Sequence, residues 1–154
     1  MTLHPGDRAW AAIPLRLIVG YGFLAHGVAK IAHGPEHFIA ILAALHVPMP
    51  VFLGWVTILV EVVGGLGMLA GAWIPLLSLP MVTVLLVAAV TVHWQYGFSS
   101  IKLQAITAAG AQFGQPGYET DLLYLACLAA LVLGGPGPFT VGGLLAKRRR
   151  SGRE

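Results

Sequence analysis

Three long apolar stretches constrain this sequence more than any motif does. They cover residues 13–31, 51–69 and 75–94. A helix needs roughly 20 predominantly apolar residues to cross a bilayer, because every backbone N–H and C=O group must find its partner inside the segment. Each stretch therefore predicts a transmembrane helix.

The composition agrees with a membrane protein. Of the 154 residues, 57% are hydrophobic and 10% are charged, whereas soluble domains average about 45–50% apolar and about 25% charged residues. The chain has too few polar groups to cover a folded surface in water, so the lipid bilayer is its expected partner. The net charge of +3 does not indicate nucleic-acid binding, because five of the nine basic residues lie in the last eight positions.

A fourth apolar segment, residues 118–135, has a shorter apolar centre and is interpreted as a fourth span. The predicted fold is therefore all-α, an integral membrane four-helix bundle in one domain over residues 1–154. Basic residues near a span favour the cytoplasmic side. The basic tail, residues 147–154, thus predicts that both termini are cytoplasmic.

The two predicted outer loops contain short ordered segments. Residues 38–47 are apolar and bracketed by prolines, but they are too few to cross the bilayer, so we expect a helix in the outer interface. Residues 100–107 partly alternate polar and apolar side chains. That pattern fits either a short strand or an irregular lid.

Ionisable residues inside the spans are the candidates for chemistry, because a charge at the centre of an inserting helix costs about 2.5–3.5 kcal/mol. Glu61 lies near the middle of the second span. On the first span, charged and small residues recur three or four positions apart, a spacing that places them on one helix face. They are Arg16, Gly20, Phe23, Gly27 and Lys30.

Depth along each helix, at about 1.5 Å per residue, predicts which polar groups meet. A polar pocket in the outer half of the membrane would contain His26, Lys30, Glu61, His93 and Glu119. Arg16 would lie separately near the inner face. The alternative is that Glu61 forms an ion pair with Lys30 or Arg16 that only joins two helices.

No cofactor-binding motif is recognisable, and we predict no metal site. The single cysteine, Cys127, excludes an all-thiolate zinc or iron–sulfur site supplied by this chain alone. A haem held between His26 and His93 is a less favoured alternative, because the estimated depths of these two residues differ.

Four motifs occur in order along the chain. The first is the run RLIVGYGFLAHGVAK, which begins at Arg16 and ends at Lys30. The others are EVVGG from Glu61, GYE from Gly117 followed by LLY from Leu122, and GGPG from Gly134. With these motifs the chain resembles the DoxX family of small bacterial integral membrane proteins. The resemblance covers most of the chain, from about residue 15 to residue 139.

The resemblance implies a function as well as a fold, because DoxX proteins are related to the membrane subunit of thiosulfate:quinone oxidoreductase. It implies a bacterial cytoplasmic (inner) membrane location and a quinone-linked oxidoreductase subunit that acts on a small compound, such as a sulfur compound. Quinone is then the expected cofactor, and a redox protein or a second copy of the chain is an expected partner.

Roles for the site residues follow from that hypothesis. His26 and Glu61 would be catalytic and move protons, while Arg16, Lys30, His93 and Glu119 would bind substrate or quinone. The alternative function is a non-catalytic membrane scaffold or assembly factor for a redox complex. A small-solute transporter is a third hypothesis, against which the lack of clear inverted repeats argues.

Overall fold

The computed structural model describes residues 9–143, and this part of the chain is mostly helical. Five α-helices have both ends within these residues: α1 (Ala12–Ala32), α2 (Pro35–Ala44), α3 (Pro50–Ala70), α4 (Ile74–Ala88) and α5 (Glu119–Gly134). The helix α4 continues into one π-helical turn, Ala89–His93, and a 3₁₀ turn, Trp94–Tyr96. The basic tail, residues 147–154, lies outside the described residues.

Three helical segments are long and apolar enough to cross a membrane: Ala12–Ala32, Pro50–Ala70 and Ile74–Tyr96. Their ends agree closely with the apolar stretches that predicted them. Their outward faces carry large exposed apolar side chains, among them Leu17, Leu59 and Leu76. Such faces are stable only against lipid or another apolar surface. The chain is accordingly a multi-pass membrane protein.

The fourth predicted span is shorter than the other three. Helix α5 has 16 residues, which corresponds to about 24 Å at about 1.5 Å per residue, less than a hydrocarbon core of about 30 Å. It packs beside α1 and α4. A complete four-helix membrane bundle is therefore still a prediction, whereas three spanning helices with a shorter neighbour are observed.

The segment between the π-helical turn and α5 contains a β-hairpin, so the all-α prediction is wrong in this detail. Strand β1 (Leu103–Thr107) pairs antiparallel with β2 (Gly110–Phe113), with an irregularity between Leu103 and Ala105. Of the two interpretations of residues 100–107, the short strand is therefore confirmed and the irregular lid is wrong. Every residue of both strands is exposed. Because neither face of the hairpin is buried, the strands need no regular alternation of polar and apolar residues, and the alternation in the sequence is therefore weak.

Helix α2 is the short helix expected at residues 38–47, but it begins earlier, at Pro35. Proline is favoured in a first helical turn because its missing N–H would have no partner there. The helix packs against α3, where a Cβ atom on Gly54 would lie 2.7 Å from Cγ1 of Ile39. Glycine at position 54 therefore permits this contact.

Among the described residues, the most extensive helix contact joins α1 to α3. A Cβ atom on Gly65 would lie 2.7 Å from the carbonyl oxygen of Gly20 and 2.7 Å from the backbone nitrogen of Leu24. Small residues let transmembrane backbones approach in this way. The buried core beside this contact draws on α1, α3, α4 and α5. Its members include Val19, Phe23, Met68, Met81, Leu128 and Leu131.

Replacing Gly65 by alanine should destabilise the fold, because the added methyl group meets backbone atoms that cannot rotate away. We expect the free energy of unfolding to fall by about 1–3 kcal/mol. Gly134→Ala is the matched control, since a Cβ atom there meets nothing within 4 Å. Urea unfolding in detergent, followed by circular dichroism, measures both variants. Equal stabilities would contradict the assigned packing of α1 on α3.

Candidate functional site

Lys30 and Glu61 form an ion pair between α1 and α3. The ammonium nitrogen of Lys30 lies 2.6 Å from Oε1 and 2.7 Å from Oε2 of Glu61. The side chains are 19% and 7% exposed, respectively. A Cβ atom on Gly27 would lie 3.0 Å from Cβ of Glu61. The glycine therefore lets α1 come close enough for the pair to form.

The ion pair lines a cavity of about 270 Å³, which we call the polar chamber. Its walls come from α1, α3, α4 with the π-helical turn, α5 and the loop before α5. The polar residues among its lining are His26, Lys30, Glu61, His93, Thr120, Asp121 and Tyr124. The structure therefore brings together four of the predicted site residues.

His93 lies at the end of the π-helical turn and pairs with Asp121 on α5. The two atoms Nδ1 of His93 and Oδ2 of Asp121 are 2.6 Å apart. A neutral imidazole that donates its Nδ1–H to a carboxylate keeps Nε2 as a proton acceptor. The carboxylate also fixes the orientation of the ring. The pair has the arrangement of a general base with its orienting acid.

Asp121 is the functional candidate that the sequence prediction did not include, and it takes the place expected for Glu119. The side chain of Glu119 lies outside the polar chamber, and its Oε2 accepts a hydrogen bond of 2.9 Å from the backbone N–H of Ser100. Residues two apart on a helix point in nearly opposite directions. Asp121 shares its helix face with the buried Leu128 and Leu131, and that spacing could have identified it.

His26 lies on α1 beside the ion pair, and its side chain is exposed. Within residues 9–143, no hydrogen-bond partner is found for either ring nitrogen of His26. An unengaged imidazole can accept or release a proton without breaking another contact. Its position is therefore compatible with proton exchange in the polar chamber.

Arg16 lies apart from the chamber, at the carboxyl end of α3, as the depth estimate predicted. Its guanidinium group donates to the carbonyl oxygens of Met68, Leu69, Pro136, Pro138 and Phe139, at 2.7–3.3 Å. These five bonds use all five N–H groups of an arginine. No donor is left for a substrate or quinone oxygen, so the geometry favours a structural role for Arg16.

The loop before α5 closes one side of the polar chamber. Pro116 and Gly117 line it, and the backbone N–H of Gly117 donates to the carbonyl oxygen of Ser99 at 2.9 Å. Nearby, the Tyr118 ring stacks on Trp94 with centroids 5.2 Å apart. These contacts hold the segment before α5 against the end of α4.

Residues 9–143 contain no group of three or more His, Cys, Asp or Glu side chains that could hold a metal ion. Cys127 is a free thiol on α5, partly buried against the core. The polar chamber therefore offers acid and base groups rather than a constellation of metal ligands.

Comparison with known proteins identifies the family. The family model named DoxX matches residues 11–94, which is more than half of the chain. The chain belongs to the DoxX family. No curated protein and no solved structure shows significant similarity to it. The matched region of this DoxX protein includes Lys30, Glu61 and His93, whereas Asp121 lies beyond it.

The paired geometry predicts the tautomer of His93. In the native protein, Nδ1 should carry the proton that is shared with Asp121, and Asp121→Asn should shift the neutral ring toward the tautomer protonated at Nε2, because an amide can donate to Nδ1. Nitrogen-15 NMR of labelled histidine measures this change, with His93→Gln used to assign the signal. Glu119→Gln is the control. Identical tautomer populations in Asp121→Asn and the native protein would contradict the pairing.

Proposed function

We propose that this DoxX protein is a subunit of a quinone-linked membrane oxidoreductase that acts on a small reduced compound, with sulfur compounds as the first class to test. The observation that supports the proposal is the convergence of two acid–base pairs, Lys30–Glu61 and His93–Asp121, with the unengaged His26 in one chamber. Intramembrane ionisable groups are costly and tend to mark functional pathways.

Proton exchange is the chemistry that these side chains supply. Reduction of a bound quinone to a quinol would take up two electrons and two protons. The reduced substrate would supply the electrons; the protons would come from the substrate where it carries them, as hydrogen sulfide does, and from water in the case of thiosulfate, which loses electrons only. His93, oriented by Asp121, would accept protons from the substrate or from water. Glu61 and His26 would move protons between the substrate side and the bound quinone. Lys30 would donate a hydrogen bond where negative charge develops.

Orientation and partners complete the proposal. We place the protein in the bacterial cytoplasmic membrane with both termini in the cytoplasm, so that the polar chamber lies in the outer half, next to the loop that contains Pro116 and Gly117. Electrons would pass directly from substrate to quinone or through a redox protein partner. A second copy of the chain is a further candidate partner.

The alternative function, a scaffold or assembly factor, is favoured by the exposed hairpin. The side chains of Leu103, Ile106 and Phe113 are 56%, 79% and 61% exposed, respectively. Isolated two-stranded hairpins are marginally stable in water. A protein partner could cover this surface, and the charged pairs would then serve mainly to hold the helices together.

The oxidoreductase proposal predicts that Glu61→Gln strongly reduces turnover in proteoliposomes given thiosulfate or sulfide and a short-chain benzoquinone. Loss of a positioned proton-transfer group should lower kcat by about 10²–10⁴-fold. His26→Gln should also lower kcat, with little effect on folding because His26 is exposed. Glu36→Gln is the control, since that carboxylate is 76% exposed on α2. Quinone absorbance measures turnover.

Thermal unfolding of each variant separates lost chemistry from lost structure. Turnover that is unchanged in folded Glu61→Gln would contradict the proposed roles. The scaffold alternative would be supported if the native protein turned over neither substrate, while Glu61→Gln released proteins that co-purify with the native chain.

A further inference from the structure

A second cavity lies on the other side of the Lys30–Glu61 pair, between α2, α3 and α4. Its volume is about 340 Å³, within the range of about 300–1,000 Å³ that is common for ligand sites. We call it the apolar chamber. Its lining includes Leu42, Leu45, Val56, Val60, Val84 and Val87.

The ion pair is a wall shared by the two chambers. Lys30 and Glu61 line both cavities, as do Val84 and Ala88. The polar chamber is lined by His26, His93 and Asp121, none of which lines the apolar chamber. The two chambers therefore offer very different surroundings to a ligand on either side of the same ammonium group.

The apolar chamber has three hydroxyl groups in its lining, but all of them are engaged. Thr57, Thr83 and Thr91 each donate a hydrogen bond to the carbonyl oxygen four residues earlier in the same chain, at 2.7–3.1 Å. A threonine bonded in this way offers no free donor to a ligand. Among the residues that line this chamber, Lys30 consequently supplies the side-chain N–H group that can donate a hydrogen bond to a ligand.

The ammonium group of Lys30 can satisfy one additional acceptor. A lysine has three N–H donors, and the two oxygens of Glu61 account for two of them. Among residues 9–143, no hydrogen-bond acceptor is found for the third, and the ring of Phe38 lies 4.7 Å from the nitrogen. A neutral carbonyl oxygen needs one donor, so it can bind while the ion pair remains intact.

An anionic head group fits this site poorly. A carboxylate or phosphate would approach the carboxylate of Glu61, and like charges at close range repel more strongly where water is scarce. It would also leave lone pairs unsatisfied in an apolar cavity, which is unfavourable. The chemistry at the end of the chamber therefore selects a neutral head over a charged one.

We infer that the apolar chamber binds the hydrocarbon chain of an amphiphile whose neutral carbonyl head accepts a hydrogen bond from Lys30. The inference deepens the proposed function and rests on it for the identity of the natural ligand: a quinone would place one ring carbonyl at Lys30 and its isoprenoid chain among α2, α3 and α4. The polar chamber would then be left to the reduced substrate and water.

The test uses the full chain in lipid vesicles and a photoreactive probe, a long-chain alkyl methyl ketone with a diazirine in its chain. Mass spectrometry of the native protein should locate crosslinks on chamber-lining residues of α2, α3 and α4, and excess unlabelled ketone should remove them. This measurement needs no variant, so misfolding of a mutant cannot obscure it. Crosslinks concentrated on α5, or spread over all lipid-facing residues, would overturn the inference.

Two variants and a second probe test the chamber and the head separately. Val56→Phe, which fills the apolar chamber, should reduce specific crosslinking at least tenfold, whereas Thr120→Phe in the polar chamber should change it less than twofold. Lys30→Met should weaken capture of the ketone. A fatty acid that carries the same diazirine should compete less well than the ketone. A fatty acid that binds more tightly would overturn the assigned head group.

The outcomes distinguish this inference from the proposed function. Ketone capture in the apolar chamber without quinone turnover would remove the oxidoreductase proposal and leave the binding site standing. Quinone turnover that is blocked by Thr120→Phe, and not by Val56→Phe, would overturn the chamber assignment and leave the oxidoreductase proposal standing.

Discussion

Lys30 and Glu61 lie within membrane-spanning helices, where neither charge is stable without a partner. Each therefore requires the other, and the requirement fixes how α1 and α3 are rotated and offset. The small residues of α1, Gly20 and Gly27, let the two backbones approach until the ammonium group reaches both carboxylate oxygens, at 2.6 and 2.7 Å. The cavities on either side follow from that crossing, because the pair forms part of both walls.

The same rule applies to the other buried polar groups. Arg16 donates to carbonyl oxygens at the end of α3 and in the segment after α5, where a helix leaves carbonyl groups such as that of Leu69 without an intrahelical donor. Asp121 pairs with His93 across α5 and the π-helical turn. Of these groups, Arg16 has used all its donors, whereas the pairs around the polar chamber keep groups that can exchange a proton or accept a ligand. That difference separates structural from candidate functional charges in this fold.

Sequence reasoning succeeded where one strong physical cost decides the outcome. The length of apolar runs located the three spanning helices. The cost of a buried charge placed Lys30 and Glu61 in one pocket, but it left both Lys30 and Arg16 open as the ion-pair partner of Glu61. It failed where the outcome depends on helix rotation or on weak patterns. Depth alone could not choose between Glu119 and Asp121, which differ by half a helical turn. The hairpin has no buried face, so its alternation was ambiguous. Quinone binding and catalysis remain proposals because they require a ligand to test.

A double-mutant cycle on Lys30→Met and Glu61→Gln is the most direct test of the claim that this pair organises the membrane domain. Unfolding free energies of the native protein, the two single variants and the double variant should be measured in the same bicelles. We predict a coupling energy of about 1–3 kcal/mol, as found for groups in direct contact. Additivity within about 0.5 kcal/mol, which is typical of distant sites, would contradict the account.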